Sequence, residues 1–189
     1  ALRCLWDAVQ TNREKFNERF ATALSKEVSA PSEHELFVPL EDVLRRLVAP
    51  LAERSRVLVV LLDGASLAIF HQIIGGLNGW DEIGPELHGD GIGHRLSGIA
   101  VLPTMTSISR TSFFCGKVCE GNQTTEKAAF AKHEFLRGSK APVLFHKDDL
   151  SGDRLGLSEA VQKTITGDKG PQVVAVVVNA IDDWLSRGD

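Results

Sequence analysis

Residues 57–64 read VLVVLLDG, six consecutive aliphatic side chains followed by an acid and a glycine. A continuous aliphatic run of this length, rich in valine, is typical of a parallel strand that is buried on both faces. We therefore predict a buried strand over Val57–Leu62. Asp63 then lies at the carboxyl end of that strand, where ligands bind in open α/β sheets.

The segments after this strand alternate between helices and strands. We predict helices over residues 66–74, 107–115, 124–136 and 158–166, and further strands over residues 99–102, 143–145 and 173–179. This alternation predicts an α/β fold, a mostly parallel sheet with flanking helices.

The first quarter of the chain has a different pattern. Residues 2–28 and 39–52 carry apolar side chains at helical spacing, and we predict no strand there. The expected domain organisation is a helical lead-in over residues 1–54, followed by the α/β domain over residues 55–189.

The composition is that of an ordinary globular protein. The 189 residues are 43% hydrophobic and 24% charged, with a formal net charge of −4. Without a basic surplus, generic binding to a nucleic-acid backbone is not expected, and nucleic acid stays a candidate only as a substrate. No apolar run reaches the roughly 20 residues of a membrane span. Three cysteines are too few for a secreted disulfide framework, so we expect a cytoplasmic protein without membrane association.

The second informative stretch is LPTMTSISR at residues 102–110, where two threonines follow a proline at the predicted start of a helix. A helix N-terminus offers unpaired N–H groups and the positive end of the dipole, which together stabilise a phosphate. Thr104 and Thr106 are therefore candidate nucleophiles, provided that a base or a metal activates the hydroxyl. The alternative is a structural N-cap, and the spacing alone favours that interpretation.

Acids follow two of the predicted strands. Asp63 follows the strand over residues 57–62, and Asp182 with Asp183 follows the strand over residues 173–179. A carboxylate at such a position can bind a metal ion, or it can form a turn or cap the next helix. Adjacent acids point in different directions, so at most one of Asp182 and Asp183 can be a ligand.

The histidines are weaker candidates for a metal or active site. His88 and His94 lie in a glycine-rich stretch over residues 75–98, which we predict to be loop. We predict surface positions for His133 and His146, although His146 follows a predicted strand and so remains a candidate for a site.

Taken together, these elements resemble the PglZ domain, a branch of the alkaline phosphatase superfamily found in BREX and phage-growth-limitation defence systems. The match rests on residues 61–64, 102–110, 132–133, 144–147 and 177–183. The Pro-Thr-x-Thr-Ser-x-Ser-Arg string at residues 103–110 is its most specific part.

The resemblance implies a phosphate-ester hydrolase, most readily a diesterase, that uses two zinc ions. By that resemblance Asp63 and Asp182 are metal ligands, and Asp183 is the alternative candidate to Asp182. Thr106 is the nucleophile that it implies, with Thr104 as the second choice. Ser109 or Arg110 would contact a phosphoryl oxygen.

The chain departs from the family pattern in two places. Residues 184–187 read WLSR, where relatives usually carry a histidine ligand, and no Asp-His-Gly segment follows. We therefore expect a truncated domain that is inactive by itself. The alternative function is a non-catalytic scaffold module with a degenerate metal site, for which other defence-system proteins are the candidate partners.

Overall fold

The structure is a computed structural model that describes residues 2–29, 37–85, 95–136, 138, 140–152 and 156–179. The chain divides into two compact units, residues 1–35 and residues 36–189. The first unit contains helix α1, Leu2–Ser29, which confirms the prediction from apolar spacing. The apolar side chains along this helix are exposed, among them Leu5, Trp6, Val9, Phe16 and Phe20.

The second unit combines short strands with helices. Its strands are β1 (Phe37–Pro39), β2 (Val57–Leu62), β3 (Ser97–Ile99), β4 (Val143–Phe145) and β5 (Val173–Val178). Its α-helices are α2 (Ala49–Ala52), α3 (Leu67–Gly75), α4 (Thr106–Cys115), α5 (Gln123–Ala131), α6 (Lys147–Leu150) and α7 (Glu159–Thr166). Tighter or wider helical turns occur at Leu40–Asp42, Leu44–Val48 and Glu134–Leu136.

Three of the strands form one parallel sheet in the order β2-β5-β4. The register pairs Val57 with Val173 and Leu62 with Val178 at the two ends of β2. On the other side of β5, Val143 pairs with Val174. The strands and the α/β class predicted from the aliphatic runs are therefore confirmed.

A second sheet was not expected. Strands β1 and β3 pair in parallel, with Phe37 opposite Ser97 and Pro39 opposite Ile99. The prediction of no strand in the first quarter is therefore wrong, and the strand predicted over residues 99–102 begins and ends earlier. Each of these strands has only three residues, and the two strands lie far apart in the chain. A local pattern therefore cannot reveal them.

Strand β2 is buried less completely than its sequence predicts. Leu58 and Val60 are 44% and 51% exposed, whereas β5 is buried along almost its whole length. Among the described strands β2 lies at the edge of its sheet, and one of its faces is not covered by other described residues. The predicted burial on both faces is therefore wrong for β2.

The core lies between the three-stranded sheet and helices α4 and α5. Phe114 and Phe130 are fully buried, and their rings meet edge to face with centroids 5.5 Å apart. Leu44 and Val48 belong to the same core cluster. Both precede the domain boundary expected between residues 54 and 55, and that boundary stays a prediction.

Helix α4 ends at Gly116, whose φ of 67° is in the left-handed region that favours glycine. The position has a second constraint, because a Cβ atom on Gly116 would lie 2.6 Å from Nε2 of His133. The buried His133 ring therefore packs directly against the backbone at the end of α4.

Substitution of Gly116 by alanine should lower the stability of the protein through both the left-handed backbone and the contact with His133. The left-handed backbone costs about 1 kcal/mol for alanine, and the clash with His133 should raise the total loss of stability to about 2–4 kcal/mol. Gly79→Ala is the matched control, since Gly79 has a φ of 80° and no atom within 4 Å of an added Cβ. Urea unfolding measures both variants, and equal losses would show that His133 imposes no steric constraint.

Candidate active site

One ion pair joins the carboxyl end of β2 to helix α4. Nη1 of Arg110 lies 3.0 Å from Oδ2 of Asp63. The sheet fixes Asp63, because its backbone N–H donates to the Val178 carbonyl at 3.0 Å. Nδ2 of Asn179, directly after β5, lies 3.5 Å from the same Asp63 oxygen. The structure therefore brings together two of the predicted site residues, Asp63 and Arg110.

Arg110 also contacts a second carboxylate, that of Glu126 on α5. Its Nε lies 3.1 and 3.2 Å from the two Glu126 oxygens. The Thr111 hydroxyl donates to Oε1 of Glu126 at 3.0 Å, and both of these side chains are fully buried. A buried carboxylate requires such donors because an unpaired charge is strongly disfavoured away from water. Glu126 therefore ties α5 to α4.

Glu126 was not among the predicted site residues. It lies in the first turn of α5, where an acid is favoured by the helix dipole and is ordinarily exposed. Nothing in the stretch QTTEKAAF at residues 123–130 marks it as buried. Its burial follows from the packing of α5 against α4 and β4.

His133 and His146 are buried, so the surface positions predicted for both are wrong. Nε2 of His146 lies 3.2 Å from Oε2 of Glu126, without the alignment of a hydrogen bond. Burial lowers the pKa of His146 and outweighs the opposing charge of Glu126. Burial likewise lowers the pKa of His133, against the opposing charge of Glu134. Both rings are therefore neutral at pH 7, and the contact of His146 with Glu126 is not an ion pair.

The two candidate nucleophiles lie at the beginning of α4. Thr106 is the first residue of the helix and Thr104 precedes it, and both are exposed. Met105 holds the N-cap position, and no side chain caps the helix. The N-cap interpretation is therefore wrong for both threonines. Thr106 is four residues before Arg110, so the two side chains share one face of α4.

Of the two structural alternatives for Asp63, a turn and a helix cap, the turn is observed, because Asp63 and Gly64 form a turn directly after β2. Asp63 does not cap the following helix, because Ser66 holds that position and accepts a hydrogen bond from Ile69 N–H. The Ser109 hydroxyl donates to the Val101 carbonyl at 3.1 Å, which ties α4 to the segment after β3. That bond engages the Ser109 proton, and the role of Ser109 in phosphate binding stays a prediction.

The metal ligands are only partly described. Asp182 and Asp183 lie outside the described residues, as do His88 and His94. Within the described residues, no group of three or more candidate ligand side chains is arranged to hold a metal ion. Asp63 fits as a single oxygen ligand at a fixed strand end. One carboxylate does not make a zinc site, which needs three or four protein ligands.

The mixed α/β architecture, with parallel sheets flanked by helices, is consistent with an alkaline phosphatase-like fold. The sequence model of the BREX system PglZ alkaline phosphatase-like domain matches residues 43–188, which is most of the chain. The chain belongs to this family, which confirms the resemblance found in the sequence. A search of curated proteins finds no match.

The family indicates a phage-defence protein of alkaline phosphatase-like type, a class for which metal dependence is general. None of the helices in the described ranges is long and apolar enough to cross a membrane.

Glu126→Gln should show how strongly the buried carboxylate holds the site together. The variant keeps the size of the side chain and removes the charge that faces Arg110. We expect the free energy of unfolding to fall by about 3 kcal/mol, because a buried guanidinium loses one of its two carboxylate partners.

The matched control is Glu159→Gln, which breaks an exposed pair between Glu159 and Lys163 on α7. That change should cost less than about 0.5 kcal/mol. Urea unfolding at pH 7 compares the two variants. Equal losses would mean that the Glu126 cluster contributes no more than a surface pair.

Stability should increase with pH through the histidine range. Burial lowers the pKa values of His133 and His146 below 6.5, so below that pH the unfolded chain binds more protons than the folded chain. Their stabilising contribution is present above pH 6.5 and is lost as the pH falls below it.

His146→Gln should therefore make the free energy of unfolding less dependent on pH between about 5 and 7. His71→Gln, at an exposed position, is the control. Chemical unfolding measured across this range gives the slopes, and identical slopes for wild type and H146Q would refute the assignment.

Proposed function

We propose that this protein is a phosphoric ester hydrolase of a BREX-type phage-defence system, acting in the cytoplasm on a phosphodiester. The observation that carries the proposal is the position of Thr106 on α4, one turn before Arg110, which reaches Asp63 at the end of β2. Thr104 is the second candidate nucleophile. A phosphate ester is the substrate, and other defence-system proteins are the expected partners.

The chemistry assigned to Thr106 is an attack on phosphorus. The bond from Thr106 Oγ1 to phosphorus forms as the ester P–O bond breaks, and the leaving alkoxide takes up a proton. Water then hydrolyses the phospho-threonine and restores the hydroxyl. The first-turn N–H groups of α4 and its dipole would stabilise the anionic phosphoryl group.

The proposed metal is zinc, with two ions in the complete site. Asp63 would supply one ligand and Asp182 or Asp183 another. When bound, the metal would lower the pKa of the nucleophilic hydroxyl and stabilise the negative charge on the leaving oxygen. Arg110 would contribute by orienting a phosphoryl oxygen, since a guanidinium binds phosphate through paired donors.

Thr106→Ala should abolish hydrolysis of bis-p-nitrophenyl phosphate by the protein as its gene encodes it. Loss of the nucleophile is expected to lower kcat by about 10³-fold or more. Thr104→Ala should have a smaller effect. Thr124→Ala is the matched control, because Thr124 is another exposed threonine in the first turn of a helix.

The assay requires added Zn²⁺, with a chelator as the negative arm. Full activity in T106A, comparable with that of T124A, would refute the assignment of the nucleophile. Activity that survives chelation of all metal would contradict the proposed zinc dependence.

A scaffold function is the second candidate, because Arg110 satisfies the Asp63 carboxylate without a metal ion. The absence of histidine in residues 184–187 favours the same interpretation. A gene that encodes an Asp-His-Gly segment after residue 189 would support the enzyme. A gene product that neither binds Zn²⁺ nor hydrolyses the diester would support the scaffold.

A further inference from the structure

Arg110 is held by two carboxylates of unequal accessibility. Its Nε contacts both oxygens of Glu126, whose side chain is fully buried. Its Nη1 contacts Oδ2 of Asp63, whose side chain is 20% exposed. The inner contact is therefore protected from water, whereas the outer contact lies where ions can reach it.

The charges of this group oppose the binding of an anion. Asp63 and Glu126 carry one negative charge each and Arg110 one positive charge, so the three side chains sum to −1. His146 is neutral beside Glu126 because burial lowers its pKa. A phosphoryl group that approaches Arg110 thus meets a net negative cluster, and it competes with Asp63 for the same guanidinium group.

Neutralising Asp63 removes the net negative charge that opposes anion binding at Arg110. With the Asp63 charge removed, the three side chains sum to zero, and Nη1 of Arg110 loses its strongest outer acceptor. The two Nε contacts with Glu126 would still hold the guanidinium in place. A fixed guanidinium with outward donors is a good partner for phosphate, and Thr106 lies one turn away on the same face of α4.

We propose that Asp63 is an internal competitor for Arg110, and that neutralising Asp63 opens an oxyanion site at Arg110. The inference rests on the proposed function, because it assigns the phosphoryl group to the same arginine.

The test measures the binding of inorganic phosphate to the chain in the presence of EDTA, by ³¹P line broadening. Asp63→Asn should bind phosphate about tenfold or more tightly than wild type, because a charged competitor has been removed. The double variant Asp63→Asn/Arg110→Gln should lose that gain.

The matched control is Asp42→Asn. Asp42 forms an exposed ion pair with Arg45, so D42N also releases an arginine and changes the net charge by the same amount. Equal gains in D42N and D63N would overturn the proposal, as would no gain in D63N or a gain that survives in the double variant.

Asp63→Ser is a second neutral variant, should D63N fail to fold. It should gain phosphate affinity as D63N does, and no gain in a folded D63S would overturn the proposal. Neither measurement uses turnover, so a failure here is distinct from a failure of the Thr106 assay.

Discussion

The buried carboxylate of Glu126 is the interaction on which the arrangement of the site depends. Away from water it must be surrounded by donors, and Arg110 and Thr111 supply them while the neutral ring of His146 packs alongside. Both donors come from α4, so satisfying this charge joins α4 to α5. Because Arg110 extends from Glu126 to Asp63, the same constraint sets the position of α4 relative to the end of β2.

Elements with a strong local pattern could be predicted from the sequence. The aliphatic runs of β2 and β5 predicted both strands, and the helix predicted over residues 107–115 matches α4 to within one residue. Strands β1 and β3 could not be predicted, because each is short and depends on a partner far away in the chain. The exposed face of β2 could not be predicted for a related reason. An aliphatic run indicates which residues can be buried, but it does not indicate whether other elements cover them.

The site was partly predictable for the same physical reason. Asp63 was expected at the edge of the sheet where ligands bind, because it directly follows a predicted parallel strand. The pairing of Arg110 with Glu126 was not expected, since an acid in the first turn of a helix normally faces water. The burial of His146 depends on its contacts with other elements, including the ring of Phe114 at 6.5 Å between centroids. Such contacts are absent from the local sequence.

The order of strands in the larger sheet has a consequence for synthesis. Strands β2 and β4 pair with β5 and not with each other, and β5 is the last described strand in the chain. During translation, β2 and β4 are therefore synthesised before β5, the strand with which both of them pair. Until residue 178 leaves the exit tunnel, Val57–Leu62 lacks β5, its sheet partner among the described residues, and presents an unpaired, aggregation-prone edge. The nascent chain should depend on a chaperone most strongly during this interval.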